Sequence, residues 1–222
     1  MKLIACLLML CDHIGAVVYP SQEWLRWIGR LSMPIFAYML ARGFDVTEKH
    51  GTGDRYLKSL LILSVVSQLP YLLICPSAVS QWNIALTWAT SYLVLKLLAL
   101  YRGRPFLCTC LLLILGISIA CGTMEYSFLA IGYAVCFYYT LVRKDRPLLR
   151  YFIGCLLTTA YCILYMKPVQ SVGLLAFPLI DLMIRAEQAR PSLSLRRVPK
   201  AVWYAFYPVH MLCVCIIPFL QK

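Results

Sequence analysis

Residues 1–20, MKLIACLLMLCDHIGAVVYP, form an apolar run long enough to cross a bilayer, yet an aspartate and a histidine stand side by side near its middle. Ionisable side chains at that depth are costly unless they face the protein interior or a wet cavity. The pair would lie inside the apolar region of a signal peptide, and no clear small-residue cleavage site precedes Pro20. We therefore expect that this segment is a transmembrane helix that stays in the mature protein, and that its polar pair has a functional role.

The whole chain has the composition of a membrane protein. Of its 222 residues, 62% are hydrophobic and only 14% are charged, whereas soluble domains are about half apolar and a quarter charged. Lipid leaves helical bundles and closed barrels as the realistic folds, and the apolar runs are too long and continuous for barrel strands. The sequence predicts an all-α, polytopic integral membrane bundle in the lipid bilayer, with a single domain over 1–222.

Apolar runs predict about nine transmembrane helices, although eight or ten also fit. Arg30 and Pro34 shorten the second. The nine candidate spans are 2–19, 28–44, 56–75, 83–101, 105–122, 126–142, 149–166, 168–185 and 201–220.

Lysine and arginine positions predict a cytoplasmic amino terminus. In that orientation most of them lie in inner loops, as the positive-inside rule requires, and the outer side keeps Arg26, Arg30, Lys167 and Lys222. The same bias accounts for the net charge of +12, so no nucleic-acid partner is expected.

The eleven cysteines include no CxxC pair and most lie within apolar runs, which predicts neither a metal site nor a disulfide.

Polar side chains on helices far apart in sequence reach one predicted depth. Asp12 and His210 each lie ten residues from an inner lysine, roughly 15 Å into a core of about 30 Å. Arg30 and Gln68 lie near the same level. One interpretation is a functional site; the other is a set of interhelical hydrogen bonds that fix packing. Because Asp12 and His13 point about 100° apart on a helix, each needs its own partner, which favours function.

Several short motifs resemble those of one family in order and rough spacing. They are DHIG at 12–15, IGR at 28–30, PIFA at 34–37, SQLP at 67–70, EYSFLAIGY at 125–133 and FYPVH at 206–210. As a set they resemble the TraX family, the conjugal-transfer pilin acetylases. The matches are dense over the first third and at the carboxyl end, while the middle agrees more in hydropathy than in letters.

That resemblance implies a membrane-embedded N-acetyltransferase of the bacterial inner membrane, encoded with conjugation functions on a plasmid. Its protein substrate would be a processed pilin subunit, acetylated at the amino-terminal residue, and its donor substrate acetyl-CoA. The family is also distantly similar to other multispan acyltransferases, including the lysosomal heparan-glucosaminide acetyltransferase, which use a membrane-embedded histidine.

Site residues follow from this chemistry as expectations. His13 would be the general base, Asp12 or Glu125 would orient an imidazole, and Arg30 would stabilise the oxyanion. His210 would take a second proton-transfer role or position the thioester. Other family members often carry an aspartate where Glu125 stands. Direct transfer and an acetyl-histidine intermediate both remain open.

Basic residues at the predicted inner mouth are candidates for the phosphates of CoA, namely Arg42, Arg55 and Lys58. Two rival functions remain beside the transferase. Internal sequence repeats would favour a transporter or flippase, and none is visible. A non-catalytic pilin chaperone or assembly factor would need packing surfaces but no buried histidines. The sequence favours the acetyltransferase.

Overall fold

The computed structural model describes residues 1–75, 80–100, 116, 124–189 and 198–220. In these ranges the regular structure is helical apart from an isolated bridge between Trp82 and Met124, which confirms the all-α class. The helices are α1 (Lys2–Val17), α2 (Glu23–Gly29), α3 (Ser32–Lys49), α4 (Gly53–Ile74), α5 (Ile84–Leu100), α6 (Ser127–Phe137), a π-helical turn (Tyr138–Val142), α7 (Pro147–Tyr165), a 3-10 helix (Pro168–Leu175), α8 (Ala176–Ala189) and α9 (Lys200–Leu220).

Three helical segments are long and apolar enough to cross a membrane. They are α4, α7 and the continuous segment Pro168–Ala189. Shorter apolar helices cover Ile84–Leu100, Ser127–Val142 and Ala201–Ile217. Apart from residue 116, the predicted span 105–122 lies outside the described residues. The count of nine spans and the inward amino terminus stay predictions.

Helix α4 has the polarity that a lipid environment requires. Its serines Ser64 and Ser67 are buried, whereas Val65 and Leu69 are each 67% exposed. In water this arrangement would place apolar surface outside and polar groups inside, at a cost in free energy on both counts. In lipid the exposed apolar face is solvated by acyl chains, and the small polar residues serve helix packing.

The second predicted span is divided by a break at Arg30 and Leu31. Helix α2 ends at Gly29 and α3 begins at Ser32, rather than one helix covering 28–44. Pro34 causes the break because it has no N–H to donate to the carbonyl of Arg30, and its ring clashes with that carbonyl in a continuous helix. The short α2 can therefore pack against α1 in a direction different from that of α3, which brings its side chains onto α1.

The chain forms two compact units, one of Met1–Phe36 with Thr158–Lys222 and one of Ala37–Leu157. In the second unit, a hydrogen-bonded network joins α4 to the start of α5. Asn83 Nδ2 donates to the Ser64 carbonyl at 2.7 Å and to Gln68 Oε1 at 2.8 Å, and Gln68 Nε2 donates to the Gln81 carbonyl at 2.9 Å. Gln68 therefore makes the interhelical hydrogen bonds that the packing interpretation predicts.

Candidate active site

Helices α1 and α2 form an antiparallel hairpin with glycines at its closest points. A Cβ atom on Gly29 would lie 2.3 Å from the Cβ of Asp12, and one on Gly15 would lie 2.6 Å from the Cβ of Leu25. Small residues let two helix backbones approach closely in a membrane. This approach brings the side chains of α2 directly onto Asp12.

Asp12 is buried between Arg26 and Arg30, which are four residues apart in sequence. Its Oδ2 lies 3.5 Å from Nη1 of Arg26, and its Oδ1 lies 3.7 Å from Nη2 of Arg30. Arg26 Nη1 also approaches the backbone carbonyl of Asp12 at 3.3 Å. One carboxylate faces two guanidinium groups, so the cluster carries one surplus positive charge and attracts an anionic group.

His13, the next residue, contacts the histidine of α9. Its Nδ1 lies 2.7 Å from Nε2 of His210, and the two rings are parallel to within 1°. His210 is buried, whereas His13 keeps part of its surface accessible. Two ring systems that are 197 positions apart in sequence therefore form one hydrogen-bonded pair.

The hydrogen-bond partners determine the tautomers of this pair. His210 Nδ1 lies 2.7 Å from the backbone carbonyl of Phe206, and a carbonyl can only accept, so this Nδ1 carries the hydrogen. Nε2 of neutral His210 is then an acceptor, which requires Nδ1 of His13 to donate to it. The lone pair of neutral His13 is consequently on its Nε2 atom, which is the position of a base or nucleophile.

The structure brings Asp12, His13, Arg30 and His210 together but gives Glu125 different neighbours. Glu125 belongs to the unit of residues 37–157, where its Oε2 accepts the backbone N–H of Ile84 at 3.1 Å. This contact caps the amino-terminal end of α5, a position that favours a carboxylate. The imidazole partner that the structure provides for His13 is His210, and the predicted orienting roles of Asp12 and Glu125 stay predictions.

The model of the family described as TraX protein matches residues 1–218 of this chain. The chain belongs to the TraX family. A curated relative, "Probable fimbrial assembly protein FimC, serogroup H1" from Dichelobacter nodosus, is similar to it at 24% identity over 237 residues, covering 97% of the chain and 93% of that protein. No solved structure matches the chain.

The candidate CoA ligands of this TraX-family chain lie in the unit of residues 37–157. Arg42 is exposed on α3, and Arg55 and Lys58 are exposed on the first turns of α4. Residues three apart on a helix lie on one side, so Arg55 and Lys58 present two cationic groups together. Their assignment to the phosphates stays a prediction.

Arg26 is the residue that sequence analysis missed. It was assigned to the outer side by charge counting, yet it contacts both the carboxylate and the backbone of Asp12. The spacing of four residues to Arg30 was the available signal, because such residues share one helix face. The signal was hidden by placing the start of the second span at residue 28, which left Arg26 in a loop.

Replacing Gly29 with alanine tests the hairpin of this TraX-family site. The added methyl group would lie 2.3 Å from the Asp12 Cβ, so α1 and α2 must separate. We expect the free energy of unfolding to fall by about 1–3 kcal/mol or more. Thermal unfolding of the detergent-solubilised protein measures the effect. Gly43→Ala is the control, because its nearest new contact is the flexible Tyr56 side chain at 3.3 Å. Equal unfolding midpoints for the two variants would contradict the close α1–α2 contact.

Proposed function

We propose that this TraX-family chain transfers an acetyl group from acetyl-CoA to the amino-terminal amine of a processed pilin in the bacterial inner membrane. The observation that carries the proposal is the His13–His210 pair, whose hydrogen bonds leave the Nε2 lone pair of His13 unused within the pair. Family membership and the likeness to a protein named for fimbrial assembly support a pilus subunit as the acceptor.

His13 acts in this proposal as the general base. The amine nitrogen attacks the thioester carbonyl carbon, and Nε2 of His13 takes the proton that the attacking nitrogen loses. The tetrahedral intermediate collapses with cleavage of the carbon–sulfur bond, and the proton passes to the departing thiolate. The products are an N-acetylated pilin and CoA as a thiol. A two-step route through acetylated His13 would use the same nitrogen.

His210 keeps His13 ready for this role. Its Nε2 accepts the hydrogen of His13 Nδ1, and its own Nδ1 is held by the Phe206 carbonyl. When His13 becomes protonated, the positive charge of the imidazolium is stabilised through this short hydrogen bond. His210 thus fixes the tautomer and orientation of the base.

The Asp12–Arg26–Arg30 cluster supplies the electrostatic part of the reaction. Its surplus positive charge is adjacent in sequence to His13, and both arginines are held by the carboxylate. A preorganised cation stabilises the negative charge that develops on the carbonyl oxygen. Arg30 is the proposed oxyanion ligand, and Asp12 is a positioning residue for the two guanidinium groups.

The phosphates of CoA are proposed to bind Arg42, Arg55 and Lys58. Arg55 and Lys58 are exposed near the start of α4, and Arg42 is exposed further back on α3. The predicted orientation places all three on the cytosolic side. Guanidinium and ammonium groups bind phosphate through charge-assisted hydrogen bonds. The residues present therefore suit an anionic donor substrate.

A second candidate function is a non-catalytic role in pilus assembly. The relative named as a probable fimbrial assembly protein favours it. An assembly factor would bind pilin and protect it in the membrane, but it would leave the mass of pilin unchanged.

Mass spectrometry of pilin distinguishes the two functions. The purified chain in lipid nanodiscs is incubated with acetyl-CoA and processed pilin, and we expect the pilin to gain the mass of one acetyl group at its amino terminus. Samples without the chain or without acetyl-CoA serve as controls. If pilin mass never changes while pilin is lost from cells lacking the chain, the assembly role replaces the transferase.

A further inference from the structure

Arg26 has hydrogen-bond donors that the described part of the chain leaves unused. Its polar contacts there are made through Nη1, which lies 3.3 Å from the backbone carbonyl of Asp12 and 3.5 Å from the carboxylate oxygen Oδ2. A guanidinium group carries five N–H donors, so the three on Nε and Nη2 make no hydrogen bond to a described residue. These three donors are available to a ligand.

The side chain of Arg26 is also accessible. It is 33% exposed, whereas the side chains of Arg30 and Asp12 are 14% and 11% exposed. Glu23, one turn earlier on α2, forms no ion pair with Arg26 among the described residues, so it does not compete with Asp12 there. Arg26 therefore lies at the open side of the cluster, and Arg30 lies deeper within it.

The register of the hairpin places the backbone of Arg26 closer to the turn than that of Arg30. An added Cβ on Gly15 would lie 3.3 Å from the backbone N of Arg26 and 3.5 Å from its Cδ. The residue before Arg30 instead lies against Asp12. Four residues of a helix rise by about 6 Å, so the two arginines approach Asp12 from different ends of the site.

The guanidinium group of Arg26 is next to His13. The carbonyl that it approaches belongs to the peptide bond between Asp12 and His13, and the charge of Arg26 acts on His13 more strongly than that of Arg30. Neighbouring residues of an extended chain are about 3.3–3.6 Å apart. A peptide whose amino terminus meets His13 can therefore bring a side chain of its first two residues to Arg26.

The charge of the cluster favours an anionic ligand at this position. One carboxylate faces two guanidinium groups, and an uncompensated charge within a membrane is costly. A carboxylate from a ligand would bring the net charge of the group to zero. During acyl transfer, the proton that His13 takes then balances the negative charge on the acyl oxygen, and Arg30 keeps its proposed role at that oxygen.

We infer that Arg26 binds a carboxylate group carried by one of the first two residues of the acceptor. The inference rests on the proposed function and adds a substrate class to it, namely a pilin with an acidic residue beside its amino-terminal amine. In the predicted orientation the turn of the hairpin faces away from the cytosol, so the acceptor approaches from the side opposite to acetyl-CoA. Arg26 is a binding residue in this inference, and no bond forms or breaks at it.

The test compares processed pilins that differ at one residue. Glutamate or glutamine is placed at the first, second or fifth position of the pilin, and kcat/KM for its acetylation by the purified chain in nanodiscs is measured by mass spectrometry. We expect the wild-type chain to prefer glutamate by about 10- to 100-fold at one of the first two positions, as for a hydrogen bond to a charged group. At the fifth position we expect no preference.

Variants of Arg26 test whether its guanidinium group causes this preference. Arg26→Met should acetylate the glutamate and glutamine pilins equally well, and Arg26→Lys should keep part of the preference because it keeps the charge. Arg26→Gln gives a second uncharged variant if methionine prevents folding. Arg185→Met makes the same exchange at an exposed position of α8 and should keep the full preference. A purely structural role of Arg26 would lower both rates by the same factor and leave their ratio unchanged.

The outcomes separate the inference from the proposed function. Equal rates of the wild-type chain on glutamate and glutamine pilins, or an equal preference at the fifth position, overturn the inference and leave the transferase standing. A folded Arg26→Met or Arg26→Gln variant with the full preference overturns it as well, because another group then binds the carboxylate. Absence of acetylation of every pilin by the wild-type chain overturns the proposed function, and the inference with it. A preference that is confined to the first two positions and lost with the guanidinium group supports the inference.

Discussion

His13→Ala is expected to reduce the rate of pilin acetylation by about 100- to 10,000-fold, the range for loss of a general base. The variant removes the Nε2 atom that the hydrogen-bond network leaves unprotonated. The rate of acetylated pilin formation by the purified variant, followed by mass spectrometry, measures the loss. His50→Ala is the matched control, because this third histidine is exposed just after the end of α3 and its Nδ1 contacts the backbone carbonyl of Val46.

Variants of His210 test whether His13 is the base and His210 its positioning residue. His210→Gln keeps an acceptor for the hydrogen on His13 Nδ1, whereas His210→Leu removes it. We expect a small loss of rate for glutamine and a larger one for leucine, with both variants more active than His13→Ala. If His13→Ala is as active as His50→Ala, or if His210→Leu is less active than His13→Ala, the assignment of His13 as the base is wrong.

The sequence predicted that the two buried histidines lie near one level, but not that they form a hydrogen bond. Counting residues from Lys2 and Lys200 places Asp12, the neighbour of His13, and His210 at one level, and the structure joins His13 to His210 at 2.7 Å. Residue counting gives height along a helix axis because the rise per residue is constant. It gives neither the rotation of a helix nor its neighbours, so the sequence left His13 with Asp12 or Glu125 as the expected partner.

The Asp12 cluster was harder to predict because it depends on a short helix. Hydropathy identifies spans of about 20 residues, and α2 has only seven. Pro34 was recognised as a disturbance within the second span, yet its effect was to end α2 at Gly29 and turn Arg26 toward Asp12.

Asp12→Ala is expected to destabilise the protein by about 3–5 kcal/mol, since it removes the acidic partner from two partly buried guanidinium groups. Denaturant unfolding in detergent measures the loss. Asp54→Ala is the matched control: its carboxylate is 89% exposed and pairs with Lys96 at the surface, where an ion pair contributes about 0–1 kcal/mol.

A second substitution tests the cause of that instability. If uncompensated positive charge is responsible, the double variant Asp12→Ala, Arg30→Met should lose less unfolding free energy than the two single variants lose in sum. The reason is that one guanidinium is removed together with its carboxylate. Simple additivity, or a loss for Asp12→Ala no larger than for Asp54→Ala, would mean that Arg26 and Arg30 do not depend on Asp12. In that event the cluster would not be the preorganised electrostatic element of the site, and the stabilisation of the oxyanion would fall to other groups. The coupling energy therefore decides whether Asp12 is a structural counter-ion for the two arginines, independently of any measurement of acetylation.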